Sequence, residues 1–360
     1  GAKRGEGSPT MKGRNLMLAA AAAVLASSAA GALDLREGRM LLSLDERTAR
    51  FSVHYLADAA RNRYVSLLSE QDARTTYPTL SWDGRTYRLG ESPEFRFSVR
   101  REGSSAIVEY ASSFAVVRQS FRFLRSRGAL ETDGLLLQFE IENLTGNPVS
   151  AGLRLLLDTY QGERGKRHFE IDGSGVVNAE LSLAGSTVPG RLVTPGEAGS
   201  SLQVQLAGDG ITRPNSLVLS NWKRINDSEW NFEVSPGRSF TLLPFSIDDS
   251  AAAVFFEPSE LRGGGKRIVT LVLGNKTDAG YAAPALPGGA AGPAAAGPDP
   301  QASLTVAPDP FVGARTDVAA LREIIARIDG MLAADADPES DRIEELRKLL
   351  ESIRSRTREY

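Results

Sequence analysis

The run Arg50-Phe51-Ser52-Val53-His54-Tyr55 decides the fold class, because a large apolar side chain occupies every second position. Successive side chains of a β-strand point to opposite faces, so this spacing predicts a strand with one buried face and one wet face. Phe95, Phe97 and Val99 repeat the pattern among polar and charged neighbours. Turn residues such as those of Trp82-Asp83-Gly84 separate such runs.

The alternation recurs between Arg39 and about Gly274. Further predicted strands cover Ala106–Ala111, Ala115–Leu124, Leu135–Glu142, Val149–Asp158, Leu202–Leu206, Leu217–Asn221, Glu229–Val234, Ala252–Phe256 and Arg267–Leu273. More than ten strands with no helical pattern between them predict a mainly β protein, a large antiparallel β-sandwich. We assign it to residues 33–277.

Residues 1–32 read as a leader and signal peptide, with the signal at 11–32. An apolar run, Leu16–Ala26, follows a basic head and is too short to span a bilayer, and Ala30-Gly31-Ala32 has the small-x-small form of a cleavage site. Cleavage after Ala32 predicts a periplasmic or secreted chain. The sequence contains no cysteine, which excludes a lipoprotein anchor and disulfides.

Net charge and hydropathy limit the kinds of partner that the chain can have. The formal net charge is −3 at pH 7, whereas a nucleic-acid-binding protein needs a clustered basic surface. No second apolar stretch approaches the roughly 20 residues that a membrane helix requires. We therefore expect no nucleic acid partner and no membrane span.

The composition changes after the predicted sandwich. Residues 278–314 are rich in proline, alanine and glycine, which predicts a disordered linker. Residues 315–360 then switch to heptad spacing, which predicts two short helices, as a helical hairpin or a coiled-coil tail. Its stripe consists of Val318, Leu321, Ile325, Ile328, Leu332, Ile343, Leu346, Leu350 and Ile353. Such short helices need a partner for their apolar stripe, either another protein or a second copy.

The first candidate site lies at the end of a predicted strand. Leu155-Leu156-Leu157 delivers Asp158 to that end, and Glu163 follows in a charged loop. Two carboxylates there could divide acid and base roles in glycoside chemistry. The alternative is structural: Asp158 and Thr159 bind loop amides, and the charged run is solvated.

The second candidate site is aromatic. Trp222 and Trp230 flank polar residues that include Asn221 and Asp227. Indole faces beside amides and carboxylates suit sugar rings, which indicates glycan binding. The alternative is that the tryptophans anchor the core.

Metal and cofactor signals are weak. The chain has two histidines, His54 and His168, and neither is paired with a carboxylate at metal-ligand spacing. Asp248-Asp249-Ser250 reads as a strand entry, with a loop calcium site as the alternative. No glycine-rich phosphate loop lies between a strand and a helix. We predict no metal and no cofactor.

Three strand ends carry a family resemblance: Leu155-Leu156-Leu157-Asp158-Thr159, Leu219-Ser220-Asn221-Trp222 and Val254-Phe255-Phe256-Glu257-Pro258. With them the chain, over residues 33–276, resembles uncharacterised exported bacterial β-sandwich proteins. Its outline is also similar to the supersandwich domains that accompany carbohydrate-active enzymes. The resemblance implies a fold and transfers no active site, because nothing here matches the catalytic histidines of the sugar-mutarotating supersandwiches.

Three functions follow from these patterns. The main hypothesis is a non-enzymatic periplasmic interaction or scaffold protein, in which the sandwich and the tethered helices dock on envelope partners or self-associate. The alternatives are a glycan-binding module and a carbohydrate-active enzyme.

Overall fold

A computed structural model describes residues 31–69, 75–171, 175–196 and 199–284. The predicted signal up to residue 30, the linker from residue 285 and the helical stripe from Val318 to Ile353 lie outside the described residues. Among the described residues, no helix is both long and apolar enough to cross a membrane.

The described chain consists mostly of strands. They are β1 (Ala32–Glu37), β2 (Met40–Asp45), β3 (Arg50–Asp58), β4 (Arg63–Ser66), β5 (Tyr77–Trp82), β6 (Arg85–Arg88), β7 (Arg96–Glu102), β8 (Ser105–Ala111), β9 (Ala115–Leu124), β10 (Gly134–Asn143), β11 (Val149–Asp158), β12 (Phe169–Ile171), β13 (Gly175–Val177), β14 (Leu181–Ala184), β15 (Arg191–Pro195), β16 (Ser201–Gln205), β17 (Ser216–Asn221), β18 (Ser250–Leu261) and β19 (Lys266–Asn275). One short helix, α1 (Trp222–Asn226), and two 3-10 turns, Tyr160–Gly162 and Gly185–Thr187, complete it.

The strands form three antiparallel sheets. The largest has the order β13-β12-β15-β16-β19-β10-β9-β8-β7, the second β14-β17-β18-β11-β5-β6, and the third β1-β2-β3-β4. All three contribute to one continuous apolar core. The predicted mainly β class with large antiparallel sheets is confirmed, and the arrangement is consistent with a β-sandwich.

Strand β10 illustrates how the alternation builds this core. Leu135, Leu137, Phe139 and Ile141 are fully buried. The strand pairs with β19 on one side and β9 on the other. Each such side chain contributes about 1.5–3 kcal/mol when it is fully buried.

The six-stranded sheet is covered on both faces. In β18, Ala252, Val254 and Phe256 face the main core, whereas Ala253 and Phe255 face a second apolar cluster. Helix α1 and the segment 230–234 contribute to that second cluster.

The segment Glu229–Val234 is not a strand, contrary to its prediction. Trp230, Phe232 and Val234 do alternate, but they pack onto the outer face of the six-stranded sheet. An extended segment that covers a sheet has the same two-residue period as a strand within it.

The ends of the described chain are both anchored. Ala32, just before the predicted cleavage, pairs with Asp45 in the first hairpin. Tyr281 is 3 % exposed and donates its hydroxyl to the carbonyls of Asp133 and Asn275 at 2.9 and 2.7 Å. It packs in a cluster with Leu136 on the outer side of the nine-stranded sheet. The packed chain thus reaches a few residues beyond the predicted boundary at 277.

Candidate functional site

The two candidate sites meet at one end of the six-stranded sheet. Strand β11 ends at Asp158, which pairs with Ala251 near the start of β18. Strand β17 ends at Asn221, which pairs with Ser250. Three neighbouring strands therefore bring residues that are distant in sequence to one sheet edge.

Three carboxylates gather there, from Asp158, Glu163 and Asp249, and we call them the carboxylate cluster. One oxygen of each lies within 4.8 Å of the others. Asp158 is buried, whereas Glu163 and Asp249 are partly exposed. The group is therefore accessible from solvent through two of its members.

Local hydrogen bonds set the geometry. The 3-10 turn Tyr160–Gly162 carries the chain back towards β18, and Glu163 Oε1 accepts a hydrogen bond from the Ser250 amide at 2.9 Å. The Asp158 amide donates to Thr76 Oγ1 at 3.1 Å. The acids are held by fixed backbone rather than by a free loop.

Burial dominates the electrostatics of the cluster. It raises the pKa of Glu163 to about 8, and the neighbouring Asp158, Asp249 and Asp248 add to this rise because like charges oppose ionisation. Burial also raises the pKa of Asp249. At pH 7 Glu163 is therefore mostly protonated.

The structure brings the predicted pair Asp158 and Glu163 together and adds Asp249, which the sequence analysis treated as part of a strand entry or a calcium loop. The signal that could have found it is the acidic pair at 248–249 directly before a strand. Three carboxylates at this spacing are an arrangement that could hold a cation. The expectation of no metal stays a prediction.

Trp222 lies beside the carboxylate cluster. Its amide donates to the Asp249 carbonyl at 3.1 Å, and its indole Nε1 donates to the Thr75 carbonyl at 2.8 Å. Thr75 precedes Thr76, whose hydroxyl binds the Asp158 amide. The indole remains partly exposed. A polar cluster and an aromatic face thus share one edge of the sheet.

The other aromatic-site residues have different surroundings. Asn221 is fully buried; its carboxamide donates to the Phe240 carbonyl at 2.8 Å and caps α1 by accepting from the Arg224 amide. Asp227 is exposed and pairs with Lys223 at 2.7 Å, which lowers the pKa of that carboxyl. Asn221 therefore organises the loop.

Trp230 lies further along the outer face. Its ring meets Phe255 edge-on with centroids 5.7 Å apart, and its Nε1 donates to Glu257 Oε2 at 3.3 Å. Like Trp222 it is partly buried. It packs as part of the cover of the sheet.

Comparison with known proteins gives structural similarity alone. No family model matches the chain, and neither does any curated protein. An aldose epimerase homologue from C. elegans superposes with a TM-score of 0.42 at 11% identity, over 68% of this chain and 98% of that one. A galactose mutarotase-like protein from Lactobacillus casei superposes with a TM-score of 0.39 at 11% identity, over 68% of this chain and 99% of that one. A galactose mutarotase-like protein from Clostridium acetobutylicum superposes with a TM-score of 0.38 at 8% identity, over 68% of this chain and 94% of that one.

These neighbours correct the main functional hypothesis. The similar solved structures are named for carbohydrate chemistry, which agrees with the carbohydrate alternatives and not with a non-enzymatic scaffold. Superpositions at this level transfer no site residue. The function has to be argued from the side chains of this chain.

Proposed function

We propose that this chain is a carbohydrate-active enzyme whose acid–base groups are Glu163 and its neighbours in the carboxylate cluster. The observation that carries the proposal is the convergence of three carboxylates beside the partly exposed indole of Trp222, at the end of one sheet. Acid–base catalysis needs two groups with different proton affinities within reach of one substrate.

Glu163 is suited to donate a proton. Its pKa of about 8 keeps it protonated at neutral pH. Because Oε1 accepts from the Ser250 amide, Oε2 is left to carry the proton. Asp158 and Asp249 supply oxygens within 4.8 Å that could receive a proton from the substrate.

The spacing of the acids argues against one kind of reaction. Inverting glycoside hydrolysis places its two carboxyl groups about 6.5–9.5 Å apart to admit a water molecule. The oxygens here lie closer, within 4.8 Å. This spacing leaves no room for that water, and it fits either retaining hydrolysis, whose carboxyl groups lie about 5–5.5 Å apart, or proton donation and removal at adjacent oxygens of a single sugar.

Trp222 supports a second candidate function, glycan binding without chemistry. An indole face packs on the C–H groups of a sugar ring, and the acids accept hydrogen bonds from sugar hydroxyls. The same residues would then bind a sugar that is released unchanged. The two functions share a site and differ in turnover.

One experiment separates the two functions. A panel of free sugars and glycosides is incubated with the whole chain, and NMR follows saturation transfer to the sugar and the change of its anomeric signals. Acid–base chemistry predicts turnover that falls at least 100-fold in Glu163→Gln while binding persists. Asp227→Asn, outside the cluster, is the matched control and keeps full turnover.

The outcomes decide between the readings. Binding that is lost in Trp222→Ala, with no turnover in the unsubstituted protein, supports the binding module. If the chain neither binds nor converts any of the sugars, both proposed functions are contradicted.

We infer that this activity is exerted outside the cytoplasm, on the strength of the signal pattern at 11–32. Fractionation of cells that express the full chain tests this inference. A protein retained uncleaved in the cytoplasm contradicts it.

A further inference from the structure

The loop between Phe240 and Ser250 exposes a compact group of large apolar side chains. Leu243, Phe245 and Ile247 are 71 %, 65 % and 71 % exposed. Among the described residues, few large hydrophobic side chains are exposed, and the others are scattered singly. We call residues 243–247 the apolar tip.

The apolar tip stands on a rigid base. Leu242 and Ser246 exchange backbone hydrogen bonds at 2.9 Å in both directions. The Asn221 carboxamide donates to Ser246 Oγ at 2.9 Å, and the Asp248 amide donates to Thr241 Oγ1 at 3.0 Å. The exposed side chains thus project from a loop whose backbone is held by hydrogen bonds.

A loop that bears exposed cations is anchored at the base of the apolar tip. The loop that holds Arg164 and Lys166 is fixed beside it at two points: the ring centroids of His168 and Phe240 lie 4.7 Å apart, and Glu163 accepts from the Ser250 amide. Both cations are exposed, and neither forms an ion pair within the described parts of the chain.

A third cation lies against the apolar tip itself. Lys223 Nζ is 4.9 Å from the centroid of the Phe245 ring and 2.7 Å from Asp227 Oδ2, so this cation is already paired. Asp248 and Asp249 lie at the base of the same loop, so the cations left to bind lipid phosphates are Arg164 and Lys166.

We propose that the apolar tip and the two cations on the neighbouring loop form a docking surface for an anionic lipid bilayer. Apolar side chains that project beside lysine and arginine enter the boundary between headgroups and acyl chains, while the cations bind lipid phosphates. Cations near an anionic surface strengthen such binding.

The size of the surface favours lipid over a protein partner. A stable protein interface buries about 800 Å² on each partner, from 20–30 residues. Three apolar side chains on a narrow loop supply far less. A bilayer needs no complementary shape, so a small projecting apolar group with two cations on the neighbouring loop is sufficient.

The proposal has a consequence for the candidate site, although it does not depend on the proposed function. The loop that bears the apolar tip continues into Asp249 of the carboxylate cluster. Docking would hold the cluster near the headgroups.

Vesicle sedimentation of the whole chain tests the proposal. Vesicles of pure phosphatidylcholine are compared with vesicles that contain 30 mol% phosphatidylglycerol, roughly an ordinary anionic fraction. We expect partitioning onto the anionic vesicles that falls at least tenfold in the double variant Phe245→Ser/Ile247→Ser. Arg164→Gln/Lys166→Gln should weaken partitioning and reduce its salt dependence.

Leu130→Ser is the matched control, because Leu130 is 93 % exposed in a different loop and should partition like the unsubstituted chain. Circular dichroism checks that each variant is folded, and Leu243→Ser replaces the double variant if that variant unfolds. Absence of binding to anionic vesicles, or equal binding by the tip variants and Leu130→Ser, overturns the proposal. If Leu243→Ser abolished binding to sugars and left binding to vesicles unchanged, the apolar tip would be a glycan-binding surface and the proposal would be overturned.

Discussion

Glu163 is a residue whose environment changes its chemistry. In the sequence it belongs to a charged loop, and in the fold burial and three neighbouring acids raise its pKa to about 8. An unfolded glutamate ionises near 4.5, so between these values the folded state binds the extra proton. Stability therefore falls as the pH rises from about 4.5 to about 8, and the loss is complete above that range.

Glu163→Gln should remove this dependence. We expect the variant to be more stable than the unsubstituted protein above pH 8, by about 2 kcal/mol after solvent screening is allowed for. Urea unfolding at several pH values measures the difference. Glu260→Gln, an exposed substitution, should leave the curve unchanged. Parallel curves for Glu163→Gln and the unsubstituted chain would show that this carboxyl ionises normally.

Asn221 was a candidate for ligand binding, and in the fold its side chain stabilises a loop and a helix end. Its carboxamide donates to carbonyls of the apolar-tip loop and accepts from the Arg224 amide. Asn221→Ala removes a helix cap and leaves buried carbonyls unpaired, so we expect a loss of about 2–4 kcal/mol in the free energy of unfolding. Asp227→Ala, at the exposed end of the same helix, should cost less than about 1 kcal/mol. Chemical denaturation compares the two.

At the scale of elements, Gly134 and Gly274 let the last described segment pack on the nine-stranded sheet. A Cβ on Gly274 would lie 2.5 Å from Tyr281 Oη and 2.8 Å from the Asp133 carbonyl oxygen. Gly274→Ala should therefore displace Tyr281 at a cost of about 1–3 kcal/mol.

Gly146→Ala provides the comparison, because no atom lies within 4 Å of the added Cβ. Thermal unfolding measures both variants. Equal melting temperatures would mean that Tyr281 moves aside without cost.

Alternation predicted most of the strands because burial of one face has a local signature. Strands β3 and β10 are read directly from their apolar residues. The sequence could not predict that the middle of β18 is buried on both faces, because small residues such as Ala251 and Ala253 carry little hydrophobic signal. It also could not place Glu229–Val234 outside the sheet, since a covering segment has the period of a strand.

The candidate site was predictable only in part. Asp158 and Glu163 lie five residues apart, so one strand end suggested both. Asp249 joins them through the pairing of β11 with β18, a contact between residues about 90 positions apart in sequence. Such partners depend on strand order, which no local pattern records.

At the scale of the whole molecule, β18 joins two apolar clusters into one unit. Trp82 lies in the main core, whereas Trp222 and Trp230 border the second cluster. Because neither cluster can lose β18 and persist, we expect both to unfold together.

Fluorescence of Trp82→Phe and of the double variant Trp222→Phe/Trp230→Phe measures this coupling in urea. Each reports one of the two clusters, and each variant's fluorescence midpoint should coincide with its own midpoint from circular dichroism. Separate transitions within a single variant would identify the cover of the six-stranded sheet as an independent unit.

The packing of Tyr281 on the nine-stranded sheet also affects how the chain responds to a pulling force. A pulling force applied at the carboxyl-terminal end of the described chain would first load Tyr281 and then β19, which precedes it. The ends of β11 and β17 that carry the carboxylate cluster and Trp222 belong to the other large sheet. Tension on that terminus should therefore load Tyr281 and β19 before it reaches the candidate site.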